Sequence, residues 1–213
     1  GLPVELENAA NACALAELWS GRHAESVRDL VAVTVSEGIG VGMILNGQLV
    51  RGSTGLAGEF GHVALLEGGP LCKCGNHGCW EACGSNSAAV RRYVEGISGA
   101  ANSSGTAPAF EDILRFAEQG DTQALEALRR MAHYLGLGLA MVLTALAPEI
   151  LVLIGEVTRA WDHVGPVVNR VVADRVPTHP STRIIPTDPD AQPRLLGTIS
   201  LVLQKHFGAP STA

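Results

Sequence analysis

The stretch Leu30-Val-Ala-Val-Thr-Val35, Ser36-Glu-Gly-Ile-Gly40, Val41-Gly-Met-Ile-Leu45, Asn46-Gly47, Gln48-Leu-Val-Arg51 decides the architecture. Its β-branched first run reads as a strand, and Ser36 to Gly40 turns the chain back. Asn46-Gly47 then closes a hairpin, because Asn and Gly tolerate the two positive φ angles of a type I′ turn. The result is a three-strand antiparallel meander. Further along, Ile150 to Ile154 is a short apolar run after a long helical pattern and reads as a buried strand, and Thr182 to Pro186 as one more. Helical spacing covers Asn8 to Trp19 with a stop at Gly21, then Ser85 to Tyr93, Phe110 to Gln119, Asp121 to Ala147, Arg159 to Asp174 and Arg194 to Phe207. Strands first and alternation afterwards predict an α/β fold, a mixed sheet flanked by helices. Leu2 to Leu6 reads as extended, and Gly96 to Pro108, rich in Ser, Gly, Ala and Asn, as a surface insertion open to nicking. No internal repeat is visible.

The chain has 213 residues, with 15 Lys and Arg against 21 Asp and Glu, a formal net charge of −6. Hydrophobic residues make up 46% and charged residues 17%, which supplies an aliphatic core and excludes disordered, collagen-like and disulfide-stapled classes. No run of Lys or Arg forms a cationic surface for phosphates, so any DNA contact must come from outside this chain. The longest apolar stretch, Tyr134 to Ala147, is shorter than the roughly 20 residues of a membrane span. The bunched cysteines and the lack of a targeting segment predict a reducing cytoplasm. The chain opens on Gly1 rather than Met, as a piece of a longer protein would.

Between Gly52 and Gly84 glycines are so frequent that little regular structure is expected, and something else must hold the loop. His62, Cys72, Cys74 and Cys79 supply it. Three thiolates and an imidazole in the pattern H-x9-C-x-C-x4-C are the ligand set of a closed, tetrahedral structural Zn²⁺. Disulfides are the poorer reading: a C-x-C pair does not easily cross-link itself, and these cysteines sit among Gly, Lys and Asn. Cys13 and Cys83 lie outside the spacing and read as small buried residues. His77 competes with four better ligands, and the remaining histidines are scattered.

Glu59-Phe-Gly-His62, Cys72-Lys-Cys-Gly-Asn-His-Gly-Cys79-Trp-Glu81 and Glu7-Asn-Ala-Ala-Asn-Ala12 together resemble the ROK family of sugar kinases and sugar-responsive transcriptional repressors. The resemblance extends through the meander, Pro148-Glu-Ile-Leu-Val-Leu-Ile-Gly155 and the last helix. It implies an actin-like, ribonuclease-H-like ATPase-type fold of two lobes with sugar in the cleft, of which residues 1–213 match the later part, the zinc loop lying at 59–81. The family's first lobe, and any helix-turn-helix, would then precede residue 1. By the same resemblance the sugar hydroxyls fall to Asn8, Glu59, His62 and Glu81, with His62 also on the zinc. Carboxylates and an amide suit adjacent hydroxyls. Read without the family, Asn8 is a helix N-cap and the two glutamates are solvated loop acids.

Three departures bear on catalysis. The kinases of this family carry an Asp general base after the amide ligand, and here that position is Ala9; general-base catalysis is typically worth roughly 10²–10⁴-fold. Where the kinases have Gly-Thr-Gly to cradle phosphate, this chain has Ser36-Glu37-Gly38. One carboxylate about 4 Å from one phosphate charge opposes binding by about 4 kcal/mol at an effective dielectric near 20. Where they have a run of glycines, it has Gly155-Glu156. The repressor branch is therefore the expectation: a non-catalytic domain that binds a monosaccharide effector, as a homodimer or higher homo-oligomer, with structural Zn²⁺ and without ATP/Mg²⁺ or membrane. An ATP-dependent sugar kinase is the alternative.

Overall fold

The computed structural model describes residues 4, 6–21, 27–98, 108–177, 181–188 and 190–207. Most of the predicted Leu2 to Leu6 start lies outside them, as do residues 99–107 of the predicted insertion. β1 (Leu30–Val35) is buried along its whole length and sits at the centre of a sheet of order β3-β2-β1-β4-β5. β2 (Ile39–Leu45) and β3 (Gln48–Leu49) complete the meander, with Asn46 at φ 53 and Gly47 at φ 74 in the hairpin turn. β4 (Ile150–Ile154) pairs parallel with β1 and β5 (Arg183–Pro186) parallel with β4. The sheet is mixed, as predicted. β2 starts earlier than expected, because the turn occupies only Ser36 to Gly38, closed by the Ser36 N–H on the Gly38 carbonyl at 2.9 Å.

Side-chain alternation along β1 divides the core in two. Val31, Val33 and Val35 face one side with α3 (Asn86–Ser98), α4 (Phe110–Glu118), α5 (Thr122–Leu146) and α6 (Trp161–Arg175); Leu30 and Ala32 face the other with α1 (Ala9–Ser20). α1 is rich in alanine because it is approached closely from both sides. A Cβ on Gly42 of β2 would stand 2.2 Å from the Ala10 carbonyl oxygen, and one on Gly197 of α7 (Pro193–Phe207) 2.2 Å from that of Ala12. Asn8 caps α1 through its Oδ1, which accepts the Ala10 N–H at 2.8 Å. Gly21 ends the helix in extended backbone, not in the left-handed conformation a C-terminal Gly often takes. The left-handed cap falls instead on Ala147, φ 42, with Pro148 preventing continuation of α5.

Two further expectations change. The stretch expected to be irregular up to Gly84 contains a one-turn 3₁₀ helix, Glu59–His62, and a short helix, α2 (Trp80–Gly84). α3 runs on past Tyr93 to Ser98, so Gly96 belongs to a helix rather than to the insertion. Among the described residues no strand pairs with the outer side of the first half of β2. Its Ile39 N–H donates to Glu81 Oε2 at 3.1 Å, while Gly61 and Gly58 lie so close to the Ile39 and Val41 carbonyls that a Cβ on either would be 2.3 Å away. Among the described residues no helix is long and apolar enough to cross a membrane.

Candidate metal centre and adjoining loops

The four expected metal ligands come from three separate turns. His62 ends the 3₁₀ helix, Cys79 is the N-cap of α2, and Cys72 and Cys74 share a knuckle closed by the Gly75 N–H on the Cys72 carbonyl at 2.9 Å. At Gly78, φ 71, a Cβ would stand 1.7 Å from the Leu66 carbonyl oxygen, so only glycine fits. The Leu65 N–H bonds to the Gly78 carbonyl at 2.8 Å and the Trp80 N–H to that of Val63 at 2.9 Å, tying the two arms of the loop. Trp80 is fully buried and lies over Gly138 of α5, where a Cβ would come within 2.0 Å of the indole. The loop is thus clamped at one end by an aromatic ring, and a metal ion on the four ligands would clamp its middle.

One donor atom from each of His62, Cys72, Cys74 and Cys79 lies within 4.8 Å of all the others. Cys74 Sγ stands 3.6 Å from Cys79 Sγ, and Cys72 Sγ 3.6 Å from His62 Nδ1. A tetrahedral ion with metal–sulfur bonds of about 2.3 Å and a metal–nitrogen bond of about 2.05 Å has sulfur–sulfur edges of about 3.8 Å and sulfur–nitrogen edges of about 3.6 Å. The cluster has the dimensions to hold one metal ion. All five cysteines are free thiols, so none of these sulfurs is tied up in a disulfide. Burial, with the neighbouring Cys74 and Cys72, pushes the Cys79 thiol up to about 12, and burial raises Cys72 as well. The Asn76 backbone N–H lowers Cys74. Sulfurs packed this closely lose their protons to a cation rather than to water. Cys13 and Cys83 are buried elsewhere, as expected; burial lifts Cys13 to about 11.

With Nδ1 on the cysteine side, His62 turns Nε2 towards Glu59, whose Oε2 is 3.7 Å away. Glu81 reaches the same cluster from α2: Oε1 is 3.8 Å from Cys72 Sγ while Oε2 holds Ile39. Glu59, His62 and Glu81 therefore converge on the metal cluster. Asn8 is exposed at the start of α1 and connects to that group through β2, on which Ala10 is seated. Ala9 follows it, also exposed. The neighbouring Glu7 is fully engaged: Oε1 accepts from the Asn8 N–H and from Asn11 Nδ2, both at 2.9 Å, and Oε2 pairs with Arg51 at 2.7 Å. Partial burial works against its charge, but the bonds from Asn11, Asn8 and Arg51 outweigh it and hold the Glu7 carboxyl below its ordinary value.

Ser36, Glu37 and Gly38 follow β1, Gly155 and Glu156 follow β4, and the structure brings the two loops together. A Cβ on Gly155, φ 128, would stand 1.9 Å from the Val35 carbonyl oxygen. Asn86 joins them: its N–H donates to the Ser36 carbonyl at 2.8 Å and its Nδ2 to Glu156 Oε2 at 2.9 Å. Lys73, between two metal-ligand cysteines, reaches Glu37 at 3.7 Å. Neither Asn86 nor Lys73 emerges from spacing in the sequence. The one local signal is that Ser85-Asn86 directly follows Gly84 as a helix start.

The sequence model of the ROK family matches residues 1–205. The chain belongs to the ROK family. Among curated ROK relatives, the glucokinase of Halalkalibacterium halodurans is 35% identical over 76% of this chain and 51% of its own length. The xylose repressor of Bacillus subtilis is 32% identical over 97% of this chain and 52% of its own. The chain thus spans about half the length of these relatives. Among solved structures, a ROK glucokinase from Streptomyces griseus in complex with glucose and AMPPNP superposes with a TM-score of 0.84 at 28% identity, covering 94% of this chain and 68% of that one. A ROK transcriptional regulator homologous to the E. coli MLC protein gives 0.82 at 27%, covering 95% and 53%. The actin-like fold expected from the motifs is the fold observed. Kinases and regulators stand equally near.

Proposed function

We propose that this chain is the zinc-containing, sugar-sensing part of a ROK transcriptional regulator and does not catalyse phosphoryl transfer. The observation that carries the reading is Ala9. A methyl group follows the amide of Asn8 where a kinase needs a proton acceptor, and Glu7, the adjacent carboxylate, is bound by Asn8, Asn11 and Arg51. Glu37 and Glu156 add carboxylates where a nucleotide would bring phosphates. Asn8, Glu59, His62 and Glu81 would bind the hydroxyls of a monosaccharide effector. Zn²⁺ on His62, Cys72, Cys74 and Cys79 would contribute loop order, not a reactive water, because all four positions of the tetrahedron are protein atoms. Sugar binding would bias one arrangement of a cytoplasmic homodimer over another, and DNA would be bound by a helix-turn-helix preceding residue 1, where the family's first lobe would also lie.

An ATP-dependent sugar kinase is the second reading, favoured by the identity to the glucokinases. Calorimetric titration of the zinc-loaded protein separates the two. The sensor reading expects heat with a pentose, hexose or N-acetylhexosamine and none with Mg-ATP. Binding of both, with ADP released on mixing, establishes the kinase.

A further inference from the structure

The four ligands of the metal cluster differ in how solvent reaches them. Cys79 and Cys72 are buried, whereas Cys74 is exposed at the tip of the knuckle. A solvent-borne oxidant therefore meets the Cys74 sulfur before the other two. Cys79 Sγ stands 3.6 Å from Cys74 Sγ. A disulfide needs about 2.05 Å between sulfurs, so side-chain rotation has to close a gap of about 1.5 Å. Gly75-Asn-His-Gly78 separates the two cysteines, with Gly75 at φ 92 and Gly78 at φ 71. Gly75 has open space beside it, which gives the turn room to adjust. Cys72 is the poorer partner for Cys74. Only Lys73 lies between them, the spacing that resists cross-linking, and Cys72 Sγ is 3.6 Å from His62 Nδ1 and 3.8 Å from Glu81 Oε1. Cys13 and Cys83 are fully buried away from solvent.

We propose that Cys74 is a site of oxidative modification, resolved by Cys79, through which a hydroperoxide reversibly dismantles the metal cluster. In the first step the Cys74 sulfur attacks one peroxide oxygen. The S–O bond forms, the O–O bond breaks, and the second oxygen leaves protonated, as water from hydrogen peroxide or an alcohol from an organic hydroperoxide; Cys74 is left as a sulfenic acid. The Cys79 sulfur then attacks the Cys74 sulfur, the S–S bond forms, the S–O bond breaks and the oxygen departs as water. The two sulfurs lose two electrons in all and the peroxide gains both, so no further reactant is needed. The joined pair no longer offers thiolates, and only His62 and Cys72 remain of the ligand set. The loop would then lose the order a metal gives it, and exchange with a small thiol such as glutathione would restore both cysteines. The proposal rests on the metal cluster and not on sugar sensing, so it holds for a regulator and a kinase alike.

The test treats the reduced, zinc-loaded protein with hydrogen peroxide, follows released Zn²⁺ with a metallochromic indicator, alkylates the remaining thiols and maps tryptic peptides. Lys73 lies between Cys72 and Cys74, and the next basic residue is Arg91, so cleavage places Cys74, Cys79 and Cys83 in one peptide and Cys72 in another. The expected product is the single 74–91 peptide with an internal disulfide and Cys83 alkylated. Metal release should keep step with that disulfide, and dithiothreitol should reverse both. A disulfide joining the two peptides, oxidation of Cys13, Cys72 or Cys83 ahead of Cys74, or metal release without the internal disulfide overturns the proposal. Cys74→Ser should slow oxidation of the remaining cluster thiols by about tenfold or more, and an unchanged rate there also overturns it. In Cys79→Ser, Cys74 should be trapped by dimedone as sulfenic acid and then pass to sulfinic acid, which dithiothreitol does not reverse. The peptide map of the unsubstituted protein decides the case even if a variant disturbs the loop. Absence of bound Zn²⁺ before peroxide is added tells against the metal reading alone, because the map still locates the oxidised pair.

Discussion

The metal loop and the central sheet are held by opposite means. β1 and β4 are buried at every position and bring branched aliphatic side chains to both faces. The loop around the cysteines has a small apolar cluster of its own, Cys72, Cys79 and Ala82; Leu56, Leu66 and Leu71 are exposed, and Phe60 and Leu65 are partly buried against the main core. Burial of hydrocarbon fixes the first region, while the second has glycine backbone, a few anchors on the core, Trp80 with Ala57, Phe60 and Leu65, and the ligand geometry that a bound metal would impose. A fold can therefore carry a segment that hydrophobicity alone would leave unordered, provided a cation supplies the missing interactions.

Removing the metal should break this contrast most. Structural sites of this ligand class contribute on the order of 10 kcal/mol of apparent binding energy that becomes local folding energy. With chelator, hydrogen exchange should show amides from Glu59 to Gly84 losing protection while those of β1 and β4 keep theirs. Retained loop protection would mean that the glycine turns and the packing of Trp80, Phe60 and Leu65 on the core suffice. The reverse experiment is Leu151→Ala, in a fully buried position of β4. It should lower global stability by about 2–5 kcal/mol in denaturant titration, with metal stoichiometry unchanged; loss of metal alongside would show that the loop is not an independent unit. The smallest effect belongs to neither region. On the solvent face of α5, bonds from Arg129, against a little burial, and then from Arg130 hold Glu126 at about 2, well below 4.5. A depressed carboxyl stabilises above its unfolded value and loses that contribution as pH falls through about 2. Because the Glu126 side chain is 41% exposed, Glu126→Gln should lower stability at neutral pH by no more than about 1 kcal/mol, and the difference from the parent should vanish in strong acid.

Periodicity and turn chemistry made the sheet legible. Asn46-Gly47 fixed the hairpin, and Ile150 to Ile154 announced itself as a buried run. Ligand spacing made the metal cluster legible, since four residues with strong directional preferences have few alternative uses. α2 was hidden, because Trp80-Glu-Ala-Cys-Gly84 has no helical period of its own and is shaped by the Trp80 indole against Gly138, a contact distant in sequence. The bridge from Asn86 to Glu156 was hidden for the same reason. Glu81 was legible as a polar residue of the site, but its hold on Ile39 was not, because the open side of β2 exists only once the short β3 has turned away.

That open side has a consequence for solubility. An unpaired strand edge invites pairing with another chain. Here the edge of β2 at Ile39 and Val41 is guarded by the Glu81 carboxylate and by the close approach of Gly58 and Gly61, all carried by the segment that the metal cluster organises. Disordering of that segment would uncover a template for intermolecular β-sheet, so protein lacking a metal on the cluster should be depleted by self-association.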